Sequence, residues 1–131
     1  AESMAETTCA ADREGNYKNI LCLSKRAKDK TYGYSGDNPV KVGVGIRGGP
    51  ANQRAFLNLL RDAQGKAIQY TRVGSCCEYK SEYGFFGMAK SDIYEISYLN
   101  EKGEQEKTQL YISFYDYEAP MIPMGFQTIE K

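Results

Sequence analysis

GPANQRAFLNLLRDAQG, residues 49–65, is the stretch on which the fold turns. Pro50 suits a first helical turn, because the N–H it lacks would be unpaired there anyway. Ala51, Ala55, Phe56, Leu59, Leu60 and Ala63 then recur at helical spacing and make one apolar stripe. Gly65 stands where a left-handed cap is expected. The pattern predicts a helix over residues 50–64. Such a stripe must be covered by another element, and the rest of the chain offers mainly strands.

Upstream, Val40-Lys41-Val42-Gly43-Val44 alternates with period two and reads as a strand. Downstream, three more strands are expected: Ala67 to Val73, Asp92 to Leu99, and Thr108 to Tyr117. Asn100 to Glu106 is polar with a central Gly103, a hairpin loop of ordinary length. Ser75 to Ser91 reads as a loop carrying both Cys76 and Cys77. The tail Pro120 to Phe126 is apolar but broken by two prolines, and is expected to strap the core. Residues 32–39 are dense in Gly, Asp, Asn and Pro and read as turns. Before them, Ile20, Leu23 and Ala27 fit a short helix near residues 17–28. The fold class expected is therefore α+β. One main helix packs on a small, mostly antiparallel sheet in the order β-α-β-β-β, with a short N-terminal helix besides. Residues 1–31 read as an N-terminal extension and 32–131 as a single domain.

The chain has 131 residues, which suits one core. Seventeen basic residues balance seventeen acidic ones, which argues against a general polyanion partner such as nucleic acid. There is no histidine, so most hydrolytic triads, most zinc enzymes and every histidine proton relay are excluded. No stretch reaches the length of a membrane span, and no signal peptide is visible. Ala1-Glu2-Ser3 is compatible with the stub left by signal removal. Four cysteines, Cys9, Cys22, Cys76 and Cys77, suit an oxidising compartment, and four permit three complete pairings. Neither pair has the spacing of a zinc knuckle, so no metal is expected.

Gly43-Val44-Gly45-Ile46-Arg47-Gly48 matches G-x-G-x-x-G between a strand and a helix. Three features weaken a dinucleotide reading: Pro50 starts the helix late, the next strand has no acidic end, and the remaining strands read antiparallel. No cofactor is expected. A local anion site remains open here, with Arg47, Gly48, Gly49 and Arg54 as its candidates near the helix start. Cys76 or Cys77 as a nucleophile would need a cationic neighbour such as Arg72 or Lys80. Asp92 and Glu95, three apart in a strand, should face opposite sides and make no catalytic pair. Tyrosine is the informative excess, with eleven against five phenylalanines. Its apolar body and polar tip suit half-buried sheet faces and protein interfaces alike. Tyr111, Tyr115 and Tyr117, with Asp116, are the candidates for a partner-binding face.

Several motifs recur in an order that resembles a group of small bacterial exported or lipoprotein domains. They are Tyr32-Gly33-Tyr34-Ser35, Asn38-Pro39-Val40-Lys41-Val42-Gly43, Gly49-Pro50-Ala51-Asn52, Gly74-Ser75-Cys76-Cys77, Tyr115-Asp116-Tyr117 and Pro123-Met124-Gly125-Phe126. The resemblance covers residues 32–126. It implies export to the periplasm or beyond, with a lipid anchor possible in the precursor, and it supplies no catalytic residues. Some members carry the name of a sugar-phosphate aldolase, an activity that one domain of this size does not support. The group's glycine stretch is shorter, so Val44 to Arg47 are additions that further weaken the nucleotide fingerprint. The resemblance also implies that Cys76–Cys77 does not depend on the N-terminal cysteines, and hence a Cys9–Cys22 bridge beside a vicinal Cys76–Cys77 bond. The function expected is that of a periplasmic or secreted binding protein and not an enzyme. Its partner would be another protein, as for an immunity or inhibitor protein neutralising a toxin or enzyme. The alternative is a small-ligand or anion binder using the Gly43–Pro50 loop.

Overall fold

The computed structural model describes residues 8–9, 22–23, 25–43, 49–85, 88–115, 118 and 120–128. In chain order the elements are β1 (Thr8–Cys9), β2 (Cys22–Leu23), β3 (Val40–Lys41), α1 (Gly49–Leu59), β4 (Leu60–Arg61), β5 (Gln69–Phe85), β6 (Met88–Leu99), β7 (Gln105–Ser113) and β8 (Gln127–Thr128). The protein is α+β, and its described residues are mostly sheet with one helix. The main sheet runs β3-β7-β6-β5; β5, β6 and β7 are antiparallel neighbours, and β3 joins β7 in parallel. Two short antiparallel pairs, β1–β2 and β4–β8, flank it. The observed order thus holds more short strands than the expected β-α-β-β-β.

Alternation in the strands decides which residues meet α1. Tyr94, Ile96, Leu110 and Ile112 are buried with Phe56, Leu57, Leu59 and Leu60 in one core. Phe56 is wholly buried, which favours folding by about 2–3 kcal/mol relative to leaving it in water. The remaining cover comes from the turn-rich segment and the tail. Tyr32, Val40 and Val42 from the first segment and Ile122 and Phe126 from the second join the core. The Tyr32 hydroxyl accepts the Met121 N–H at 2.9 Å and so ties these two segments together. Gly33 has φ +80°, and a Cβ there would lie 3.3 Å from Val40 Cγ2. Its carbonyl accepts the Tyr111 N–H at 2.7 Å, so this turn must lie close against β7.

Five expectations are corrected. The helix ends at Leu59 rather than residue 64, because Leu60 and Arg61 pair with Thr128 and Gln127 of β8. Gly65, with φ +76°, serves the turn after β4 instead of capping a helix; its N–H donates to the Asp62 carbonyl. Ser75 to Ser91 is not a loop but most of a long hairpin, with β5 paired to β6 from Gln69↔Ser97 to Phe85↔Met88. Register shifts between Cys76 and Tyr79 and between Lys80 and Phe85 break the period-two alternation by which a strand is read from sequence. The strand expected over 108–117 spans Gln105–Ser113, which leaves Tyr115 beyond its end. Of the helix expected near residues 17–28, Cys22–Leu23 is strand and Arg26 bridges to Ile122; residues 17–21 and 24 lie outside the described residues.

Candidate functional site

The β5–β6 ladder contains irregularities, and the first of them shapes the site. Arg72 pairs with Tyr94 but Gly74 pairs with Ile93, so β5 carries an extra residue around Val73. Such a bulge reverses the alternation of the strand. Tyr70 and Arg72 face α1 before it, and Ser75, opposite Asp92, faces α1 after it. On β6 the residues of that face are Lys90, Asp92, Tyr94 and Ile96. Pro50, Gln53 and Arg54 from the first turns of α1 lie above them, and Phe114 and Tyr115 close one end. Apart from the buried Ile96, these residues line a cleft of about 520 Å³.

At the base of the cleft is a tight polar network. Gln53 is wholly buried. Its Nε2 donates to Asp92 Oδ2 at 2.8 Å and to the Ile112 carbonyl at 3.1 Å. Its Oε1 accepts the Tyr94 hydroxyl at 2.8 Å. Asp92 Oδ1 accepts from Arg72 at 2.9 Å in an ion pair whose arginine is 53% exposed and whose carboxylate is 14% exposed. An exposed arginine gives such a pair little net stability. Arg72 on Oδ1 and Gln53 on Oδ2 together occupy both carboxylate oxygens, and the ion pair fixes where the guanidinium sits. Burial, reinforced by the charge of Asp92 and opposed by Arg54 and Arg72, raises the Tyr94 phenol above its ordinary value, so it stays a neutral donor to Gln53.

Among the described residues, the cleft is lined by three cations, Arg54, Arg72 and Lys90, and one carboxylate, Asp92. Arg54 and Lys90 make no ion pair with any described residue. Aromatic pairs stand at either end of this charged row. Tyr70 and Tyr94 meet edge to face, with ring centroids 6.0 Å apart. Phe114 and Tyr115 stack with centroids 5.2 Å apart and planes 12° apart.

The residues singled out from the sequence are scattered by this geometry. Arg54 and Tyr115, which belonged to two different expectations, line the same cleft. Tyr111 alternates with the buried Leu110 and Ile112, so it lies on the other face of the sheet. Tyr111 and Tyr115 therefore do not form the single face expected of them. Gly49 begins α1. Arg47, Gly48, Asp116 and Tyr117 lie outside the described residues. Cys76 pairs in register with buried Ser91, on the face away from α1. No described cysteine is a free thiol, and Cys76 is disulfide-bonded. Cys9 stands directly opposite Cys22 in the β1–β2 register. Asp92 and Glu95 fall on opposite faces, as their spacing predicts.

Arg72, Lys90 and Gln53 were not singled out as a site by the sequence. Gly74 inside a strand pattern signals a bulge, but that bulge brings only Ser75 to this face; the sequence offers no signal for these three. Among the described residues no group of three or more acidic or cysteine side chains is placed to hold a metal ion. No helix among them is long and apolar enough to cross a membrane. Comparison with protein-family models, with curated proteins and with solved structures gave no match.

Proposed function

We propose that this chain is an exported binding domain that holds an anionic ligand in the cleft between α1 and the β5–β6 hairpin. One observation carries the reading. Three cations converge on a concave site, and the one carboxylate among its described lining residues is already engaged by Arg72 and Gln53. An entering oxyanion would find donors held in place and two positive charges to satisfy. The cleft also lies within the size range of small-molecule sites. Since the sequence has no histidine and Asp92 is committed to its partners, the reading is of a binder rather than a catalyst. The resemblance to small exported bacterial domains supports a periplasmic or secreted setting.

Thermal unfolding with millimolar phosphates, nucleotides and sugar acids tests this. Ligand that binds only the folded state raises the melting temperature. Anions are expected to raise it by several degrees, and neutral sugars are not. Arg54→Glu with Lys90→Glu is expected to weaken binding at least tenfold; both side chains are exposed, so the fold should survive. No shift with any anion overturns the proposal.

A second reading keeps a protein as the partner, as for an immunity or inhibitor protein. What favours it is the stacked Phe114–Tyr115 pair beside the cleft, since aromatic residues beside arginine make effective anchors. In that case an acidic side chain of a toxin or enzyme would enter the cleft. Pull-down from a periplasmic extract, repeated with the double charge reversal, separates the two readings.

The cysteine pairing that accompanies the proposal is Cys9–Cys22 with Cys76–Cys77. Direct opposition of Cys9 and Cys22 in the β1–β2 register supports it. Non-reducing peptide mapping is expected to yield a fragment joining residues 9 and 22. A fragment joining Cys22 to Cys76 or Cys77 would sink it.

A further inference from the structure

We propose that the ligand of the cleft is a planar aromatic molecule carrying a doubly charged oxyanion, such as an aryl phosphate. This rests on the reading of the cleft as an anion site and narrows it to a chemical class. Two observations carry it. The first is charge: among the described lining residues, Arg54 and Lys90 have no ion-pair partner once Asp92 is matched to Arg72, so a group with two negative charges complements them. The second is the shape and chemistry of the remaining space. A bare phosphate fills only a small part of about 520 Å³. Flanking the charged row are the edge-to-face pair Tyr70–Tyr94 and the parallel pair Phe114–Tyr115. Tyr70, Phe114 and Tyr115 are each only partly buried, so ring surface remains open to the cleft. Aromatic faces favour another ring in offset or edge-on contact, and a guanidinium nearby adds attraction to the same ring. A ring docked on either pair places its substituent over the Arg72–Lys90 row.

Titration calorimetry on the intact chain with phenyl phosphate, inorganic phosphate and benzoate tests both parts. Phenyl phosphate is expected to bind at least ~10-fold more tightly than inorganic phosphate, the gain typical of stacking one ring. Benzoate, with the ring but one charge, is expected to bind ~10-fold more weakly than phenyl phosphate. Equal affinity for phenyl phosphate and inorganic phosphate overturns the ring and leaves the anion site standing. Equal affinity for benzoate and phenyl phosphate overturns the double charge. If neither phosphate binds, the anion reading falls and this inference falls with it.

Discussion

Gln53→Leu is expected to lower stability by about 3–4 kcal/mol and to drop the melting temperature by roughly ten degrees or more. Leucine matches glutamine closely in volume, so little cavity is made. What is lost is three hydrogen bonds at a wholly buried side chain. Asp92 Oδ2 and the Tyr94 hydroxyl are left without their Gln53 partner, and the Ile112 carbonyl loses a donor. Leaving buried polar groups unmatched costs more than the bonds themselves contribute. Urea unfolding with an unchanged slope would report this as a fall in midpoint. A loss below about 1 kcal/mol would mean that Gln53 does not organise the base of the cleft. The same variant should also bind anions more weakly, because Asp92 no longer holds Arg72 in a fixed position.

Asp62→Ala is expected to cost about 2–3 kcal/mol near neutral pH. Asp62 is buried and accepts the backbone N–H groups of Gln64 and Lys66 on Oδ1 and of Leu99 on Oδ2. It closes the turn between β4 and β5 and pins that turn to the end of β6. Burial alone would push its carboxyl up. The N–H groups of Lys66, Leu99 and Gln64, helped by the Lys66 charge, outweigh burial and hold it below its ordinary value. The sign of the pH dependence follows. A carboxyl whose folded pKa is depressed contributes stability above its unfolded pKa of about 3.9, and that stability is lost as pH falls through the lower folded value. The native chain should therefore lose this increment on acidification below pH ~4, whereas Asp62→Ala should not. The two unfolding curves should converge as pH falls. Parallel curves down to pH ~2 would refute the role given to Asp62.

The most strongly patterned parts of the fold were legible in the residues. The 3.6-residue stripe around Phe56 and Leu59 marked α1, and Tyr94, Ile96, Leu110 and Ile112 marked β6 and β7 by alternation. Pro120 to Phe126 read as a strap because its apolar residues needed burial while its prolines barred regular structure. Elsewhere local pattern was overruled. Leu60 and Ala63 continue the helical stripe, yet Leu60 pairs with Thr128, a partner from the far end of the chain. Of the β5–β6 hairpin, only the part between Ser75 and Ser91 was expected as a loop, because its register shifts break the alternation that marks a strand.

The cleft was legible only in pieces. Arg54, Tyr115 and Asp92 were each noticed for separate reasons, and nothing in the sequence put them together. The sequence by itself determined an α+β class, a helix that must be covered, balanced charge, four cysteines and no histidine relay. Composition and local periodicity suffice for those, because each depends on residues near one another in the chain. Only the tertiary structure decided that Arg54 from the helix, Arg72 from one strand and Lys90 from the next share a single concavity. The cause is the β5–β6 register, which sets Arg72 against Tyr94 on the face that also carries Asp92 and Lys90, together with a buried glutamine that draws helix and sheet side chains to one point. Both act across distances in the chain that no local pattern records.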